Sequence, residues 1–371
     1  MKKIAVILII LITLPGIILS QTKVGTTRGE FLLISPSIRS NGMGQIGTAL
    51  VDEYSFCYNP GSLGLFHLND EISITPYNYT KDIGYGIKLK QPSLAIPVYL
   101  FHINDDAKIG INCAFSYSKF DFPEQQEITY QQNPEEIILD VKDELYDFSI
   151  GIGYSGSIQF AVGGSYRHLK ETINTVSSTG SGFDVGLIVR KPLGDKIRLF
   201  EKDKYRTIFL PSLGFSYSFL GMGVRDYEVQ WARRIGFAIT SGIEKKNNFG
   251  YWQLISITPS IESEKLEETR SFVKYGTEIG LLDAFYFRFG KYDQDNSFVT
   301  TTWGFTLSSN GIFKLILSIK STEPNKISKT MNFLANKLTF QYSMAHYNHD
   351  SLYDSDPFRG FTIKYKLSRL N

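Results

Sequence analysis

The chain has 371 residues, a formal net charge of +2 and an aromatic share of 14%, with 22 Tyr and 27 Phe. So balanced a charge excludes the basic field that a nucleic-acid partner requires. Two cysteines, Cys57 and Cys113, make no disulfide framework and read as unlinked small apolar residues. The aromatic excess points toward a membrane-spanning barrel, whose interfaces carry aromatic girdles.

The chain opens with Met1-Lys2-Lys3, an apolar run over 4–19 and then Ser20-Gln21, the order of a cleaved signal peptide over residues 1–20. That run is shorter than the ~20 residues of a spanning helix. No later stretch approaches one, so membrane embedding requires a closed β-barrel. A soluble exported β-sandwich is the competing architecture. Residues 21–69 hold neither a helical nor a strand period, and read as loop with short helical pieces. Closely spaced glycines there allow tight turns and close approach to a wall, and Pro60 excludes a central strand.

From residue 70 the pattern alternates. Ile109, Ile111, Cys113, Phe115 and Tyr117 share one face, with Gly110, Asn112, Ala114, Ser116 and Ser118 on the other. Tyr146, Phe148, Ile150, Ile152 and Tyr154 oppose Asp147, Ser149, Gly151, Gly153 and Ser155 in the same way. Repeats of this kind continue to Phe361, Ile363, Tyr365 and Leu367, giving about sixteen candidate strands, many near the ~9–11 residues that cross a bilayer. A soluble sheet turns Lys, Glu and Arg to water. Here the second face is Gly, Ser, Ala and Thr with single charges, Arg167, Asp184, Arg190, Glu278 and Arg288, which become candidate lumen charges. The aromatic and aliphatic face is therefore assigned to lipid, and the small face to a narrow, partly filled interior.

Connections at 154–157, 282–284 and 309–311 read as tight turns. Those at 121–143, 193–206, 221–232 and 322–336 read as long polar loops. With both termini periplasmic, this division does not sort into short turns on one side and long loops on the other. The suspect segments are 85–101, read as one long strand or two, and 312–320.

The residues Phe31-Leu32-Leu33-Ile34, Pro36, Arg39, Gly42-Met43-Gly44, Gly47, Ala49 and Asn59-Pro60-Gly61 with Leu63 make the stretch resemble the FadL-like outer-membrane barrels, and within them the PorV/PorQ branch. Lys274-Tyr275-Gly276-Thr277-Glu278 and Arg288-Phe289-Gly290-Lys291-Tyr292 carry a second match. The resemblance implies an all-β transmembrane antiparallel barrel of about 14 strands with an amino-terminal hatch in the lumen: hatch over 21–69, barrel over 70–371. It makes Arg39, Gly42, Met43, Gly44, Asn59, Pro60 and Gly61 the hatch motif. The sequence departs from the family at Gly61, where alanine is usual, and in ending Leu370-Asn371 without a terminal aromatic.

By the same resemblance the chain is a non-enzymatic accessory of type IX secretion, working in the outer membrane among its lipids with secretion components or exported cargo. The wider family implies the alternative, passive admission of hydrophobic small molecules with a lipid-like ligand. Neither requires a cofactor. From the residues alone, Arg39 and Asp52 are expected to pair with lumen charges.

His346 and His349 with Asp350, Asp354 and Asp356 form the one cluster of metal-ligand type. They fall in what reads as a loop without ligand spacing, so no metal site is assigned. The acidic stretch 121–144 reads as a solvated loop, and the basic stretch 191–206 as one suited to lipid phosphates or an acidic partner. No phosphate loop, nucleophile elbow or catalytic triad is present.

Overall fold

In the computed structural model the described residues are 32, 34–69, 71–82, 87–104, 107–122, 125–128, 136–193, 205–224, 227–247, 250–267, 271–293, 299–319, 326–349 and 356–367. The signal-peptide expectation and most of the basic stretch lie outside them, as do Asp350 and Asp354.

The order begins with α1 (Ile38–Gly42) and α2 (Pro60–Leu63), joined through a 3-10 turn at Ser55–Cys57 and followed by another at Phe66–Asn69. Strands follow: β1 (Glu71–Thr80), β2 (Lys88–Lys90), β3 (Ser93–Asn104), β4 (Ala107–Asp121), β5 (Gln125–Ile128), β6 (Glu136–Leu139), β7 (Val141–Ser155), β8 (Gln159–Ile173), β9 (Val176–Arg190) and β10 (Tyr205–Leu220). After β11 (Gly223–Val224) and β12 (Tyr227–Glu228) come β13 (Ala232–Asn247), β14 (Gly250–Leu266), β15 (Phe272–Leu281), β16 (Phe285–Asp293) and β17 (Val299–Ser308). Two helices, α3 (Ser309–Ile319) and α4 (Lys326–Lys337), precede β18 (Leu338–His349) and β19 (Phe358–Lys366).

Every pairing in the large sheet is antiparallel, and β1 pairs with β19 from Glu71↔Lys366 to Tyr79↔Arg359, which closes the sheet. β2 and β3 share one position between β1 and β4, so the closed barrel has fourteen staves, two fewer than the alternation counts. Closure pairs the first and last strands of the sheet, which a sandwich cannot do. The alternation is inverted relative to a soluble protein. Along β7, Asp147 and Ser149 are buried, whereas Phe148 is 53% and Ile152 48% exposed. Comparable exposed apolar side chains recur on β8, β9, β14 and β16. A band of this kind is stable only against lipid, and the architecture is that of an outer-membrane barrel. Cys57 lies in the amino-terminal segment and Cys113 on the outer face of β4, and both are free thiols.

The staves are staggered, and β1 offers β3 three partners, Ser73 to Thr75. Beyond Ala95, the β1-facing edge of β3 runs on with no ladder to a described residue.

Several sequence expectations are corrected. Residues 312–320 form no strand: most of them lie in α3, and 309–311 is its first turn, not a hairpin turn. Much of 322–336 is α4. The window 85–101 holds two pieces, β2 and the start of β3, interrupted at Gln91-Pro92. The stretch 121–143 begins and ends in strands and carries the β5–β6 hairpin. His346 and His349 lie on β18 and not in a loop. These changes resolve the sidedness conflict. The barrel end that holds both termini also carries the α3–α4 pair and the 191–204 connection, so two long connections sit among its short turns.

The amino-terminal segment plugs the lumen, and the inward glycines mark where it sits. A Cβ on Gly163 would lie 2.1 Å from the Pro60 carbonyl oxygen. One on Gly214 would lie 1.9 Å from that of Thr48, and one on Gly290 2.0 Å from the Gly44 nitrogen. From the plug side, a Cβ on Gly61 would stand 2.6 Å from both the Gly186 oxygen and Leu187 Cα. The departure at Gly61 thus has a local reason: backbone meets backbone there.

Gly61→Ala is expected to lower stability by ~1–3 kcal/mol, the usual cost of overpacking. Gly164→Ala, whose new methyl finds only the Asp184 oxygen at 3.5 Å, should stay within about 0.5 kcal/mol. Thermal unfolding of the detergent-solubilised barrel, followed by heat-modifiable gel mobility, measures both; equal losses would contradict the close seating at Gly61.

Candidate functional site

The plug motif is assembled from local rules. Asn59 caps α2 with its side-chain oxygen on the Gly61 N–H at 3.0 Å, and Pro60 takes the first helical position, where its missing donor costs nothing. The Asn59 amide then donates to the Thr48 carbonyl at 2.7 Å and the Leu187 carbonyl at 2.9 Å, tying helix, plug loop and wall together. Ser37 caps α1 through the Ser40 N–H at 3.1 Å. Gly44 has φ +72° and donates its N–H to Thr302 Oγ1 at 2.8 Å, while Met43 is fully buried. Gly42 lies against Gly304 and the Arg288 Cβ.

Charge ties the plug to the wall. Arg39 donates through Nε and Nη2 to Glu278 at 3.0 and 2.7 Å, and its Nη1 lies 3.4 Å from Asp52. Glu278 also accepts from Arg288 Nε at 2.6 Å, so one carboxylate holds a plug guanidinium and a wall guanidinium together. Arg288 further donates to Thr306 Oγ1 at 2.6 Å. Arg167 lies 3.0 Å from Asp147 and 2.7 Å from Asp184, and donates to the Cys57 carbonyl at 2.7 Å. Four of the five candidate lumen charges are therefore gathered into two clusters that grip the plug. The fifth, Arg190, has no acceptor for its Nε among the described residues.

Sequence reasoning did not single out five charged wall residues as lumen charges. Glu262 accepts from the Gly47 and Thr48 N–H groups at 3.1 and 2.9 Å, Lys364 pairs with Glu53 at 2.9 Å, and Arg234 with Glu264 at 2.7 Å. Lys274 also bridges to Glu264. The signal was present, since each wall residue of these clusters occupies a small-face position of its strand. Asp52 and Glu53 differ within the plug. Burial pushes the Asp52 carboxyl up despite Arg39. Burial also opposes ionisation of Glu53, but Lys364 outweighs it and holds that carboxyl below its usual range.

The lumen has two unlike halves. Toward the end away from the termini, Leu145, Leu169, Phe219, Met222, Val224 and Val229 pack with Leu32 into one apolar cluster. Leu89, Phe120, Tyr347 and Phe358 form another around Ile38. β11 lies inward and completes the first: a Cβ on Gly180 would meet the Gly223 carbonyl oxygen at 2.0 Å. Toward the termini lies a cavity of about 520 Å³ lined by polar and charged side chains, among them Arg39, Asp52, Arg190, Glu278 and Lys364. Among the described residues no three His, Cys, Asp or Glu side chains group as metal ligands.

No protein-family model matches the chain, and no curated protein does either. Among solved structures the chain is similar to the toluene transporter TbuX of Ralstonia pickettii, at 9% identity and a TM-score of 0.45 over 90% of this chain and 98% of that one. It is similar to the toluene transporter TodX of Pseudomonas putida, at 9% identity and 0.39 over 88% and 96%. The β domain of the Bordetella autotransporter BrkA matches at 9% identity and 0.37 over 80% and 98%. Values of this size say nothing of residues, ligands or function.

Replacing Glu278 by Gln leaves the Arg288 guanidinium without a carboxylate and Arg39 with Asp52 alone. Removing one partner of a buried pair costs about 3–5 kcal/mol, so the plug should loosen and Tm should fall. In planar bilayers the wild-type barrel is expected to be silent and Glu278→Gln to conduct; a silent variant with unchanged Tm would contradict this role for Glu278.

Proposed function

We propose that this outer-membrane barrel is a plugged, gated passage for hydrophobic small molecules, the FadL-type reading. The observation that carries it is the apolar outer half of the lumen. A water-filled pore lines its mouth with polar groups, whereas here Phe219, Met222, Val224, Phe120 and Phe358 fill the mouth down to the plug. A hydrophobic solute gains there what it loses in leaving water, about 25 cal/mol per Å² of apolar surface buried. The plug stops it from continuing straight through, and the charged cavity beyond is no path for it. Passage therefore requires displacement of the plug from its seat on the wall.

A second reading, an accessory of type IX secretion that holds exported cargo or secretion components, is favoured by one observation. The plug is anchored to the wall by the Arg39–Glu278 ion pair at one cluster and by the Arg167 hydrogen bond to the Cys57 carbonyl at the other, as a scaffold would require.

Uptake of labelled toluene and oleate by cells expressing the chain in a transporter-deficient background tests the first reading. Expression should raise uptake of at least one probe severalfold, and Val224→Asp, which puts a charge into the apolar mouth, should abolish the gain while heat-modifiable folding is kept. Unchanged uptake on expression, together with recovery of secretion components in an affinity pull-down from solubilised outer membranes, would replace the first reading by the second.

A further inference from the structure

We infer that the lipid-facing wall at the mouth end carries a binding site for the phosphorylated head group of a membrane lipid, held by Arg359 and Lys90 on either side of Tyr79. Arg359 of β19 pairs in register with Tyr79 of β1, and Tyr79 with Lys90 of β2, so the three stand abreast on consecutive strands. Their chain neighbours are buried and face inward: Phe358 and Gly360 beside Arg359, Asn78 and Thr80 beside Tyr79, and Leu89 before Lys90. The three therefore point outward, and Arg359 and Lys90 are exposed. Strands lie ~4.8 Å apart, which puts the two cations about 10 Å apart at Cα and lets both long side chains reach one phosphate.

Positive charge is left over here. Arg359, Lys90 and Lys88, the last also exposed on β2, form no ion pair among the described residues. Lys119 of β4, abreast of Lys90, pairs with Asp121 at 2.6 Å and so engages the carboxylate that stands abreast of Lys88. Asp82 and Asp356 follow beyond Thr80, farther from the bilayer, with Lys81 next to them. The level on the wall is set by what lies below. Toward the mouth the outward side chains of β4 read Phe115, Tyr117, Lys119, and those of β19 read Ile363, Phe361, Arg359. Aromatic rings mark the interface, and a residue two positions on lies about 6–7 Å farther along the strand. The cations thus stand in the head-group layer, which with both termini periplasmic is that of the outer leaflet. A guanidinium presents its N–H groups in a planar fork that matches phosphate oxygens, and the Tyr79 hydroxyl between the cations supplies a further donor. Below Tyr79, Tyr77 and Ile74 are 49% and 45% exposed, an apolar track for the acyl chains. Phosphate above and hydrocarbon below select a lipid over a free anion.

This site lies on the outer surface and its test uses no transported solute, so it stands or falls apart from the passage reading. The full-length mature barrel in neutral detergent is mixed with diphosphoryl lipid A and, separately, with the same lipid stripped of its phosphates, and bound lipid is counted by native mass spectrometry. The phosphorylated lipid should bind at least about tenfold more tightly, a difference of ~1.4 kcal/mol. Arg359→Gln with Lys90→Gln should remove most of that preference while the phosphate-free lipid binds as before. Lys90→Gln alone should act in the same direction and decides the matter if the double variant does not fold. Lys246→Gln with Lys366→Gln, the same loss of charge from exposed positions at the terminal end, should leave the preference unchanged. Equal binding of the two lipids by the wild type, an unchanged preference in Lys90→Gln, or displacement of the lipid by inorganic phosphate at equal concentration overturns the assignment.

Discussion

The structure depends on one shared carboxylate. Glu278 stands on the barrel wall between Arg39 of the plug and Arg288 of the next strand, and accepts from both. Ionised, it satisfies two buried guanidiniums at once, and so joins a segment with little regular structure to a wall with much. Burying three such charges is costly unless their geometry is closed. The arrangement specifies where the plug sits more than it adds stability. The second cluster, Asp147, Arg167 and Asp184 with the Cys57 carbonyl, fixes the opposite flank in the same way.

Around these anchors the plug needs no side-chain interlock, because its backbone lies directly on the wall. The inward glycines of β8, β9, β10 and β16 are the counterpart of the glycines and proline of the plug. Either set without the other would leave a void or a clash. The small face of the strands is therefore not a feature of barrels in general but the imprint of this plug, and the large apolar side chains return inside only where the plug ends and the mouth begins.

Much of this was legible in the sequence. The inverted alternation, with Phe148 and Ile150 against Asp147 and Ser149, fixes both the barrel and which face meets lipid, because a period of two survives any register. Pro60 excludes a central strand from the sequence alone, whereas the helix that Asn59 caps emerges only in the structure. Pairings across the lumen were not legible: Arg39 meets Glu278 from 239 positions away, and no local pattern encodes that distance. The α3–α4 pair was missed because Ile312, Phe313, Leu315, Ile316 and Leu317 form a short apolar run, which periodicity cannot assign to strand or helix. His346 and His349 were misplaced for a related reason. Their polar neighbours suggested a loop, whereas β18 continues through them.

The central claim is that passage requires the plug to leave its seat. Ser212 Oγ donates to the Ala49 carbonyl at 2.6 Å, so the two residues face each other across the plug–wall boundary. In a barrel with Cys57 and Cys113 replaced by serine, Ala49→Cys with Ser212→Cys allows the plug to be tied to the wall by oxidation and released by reduction. The account predicts that hydrophobic-solute uptake stops when the cross-link forms and returns when it is reduced. Uptake at the same rate in the cross-linked and reduced states would contradict it.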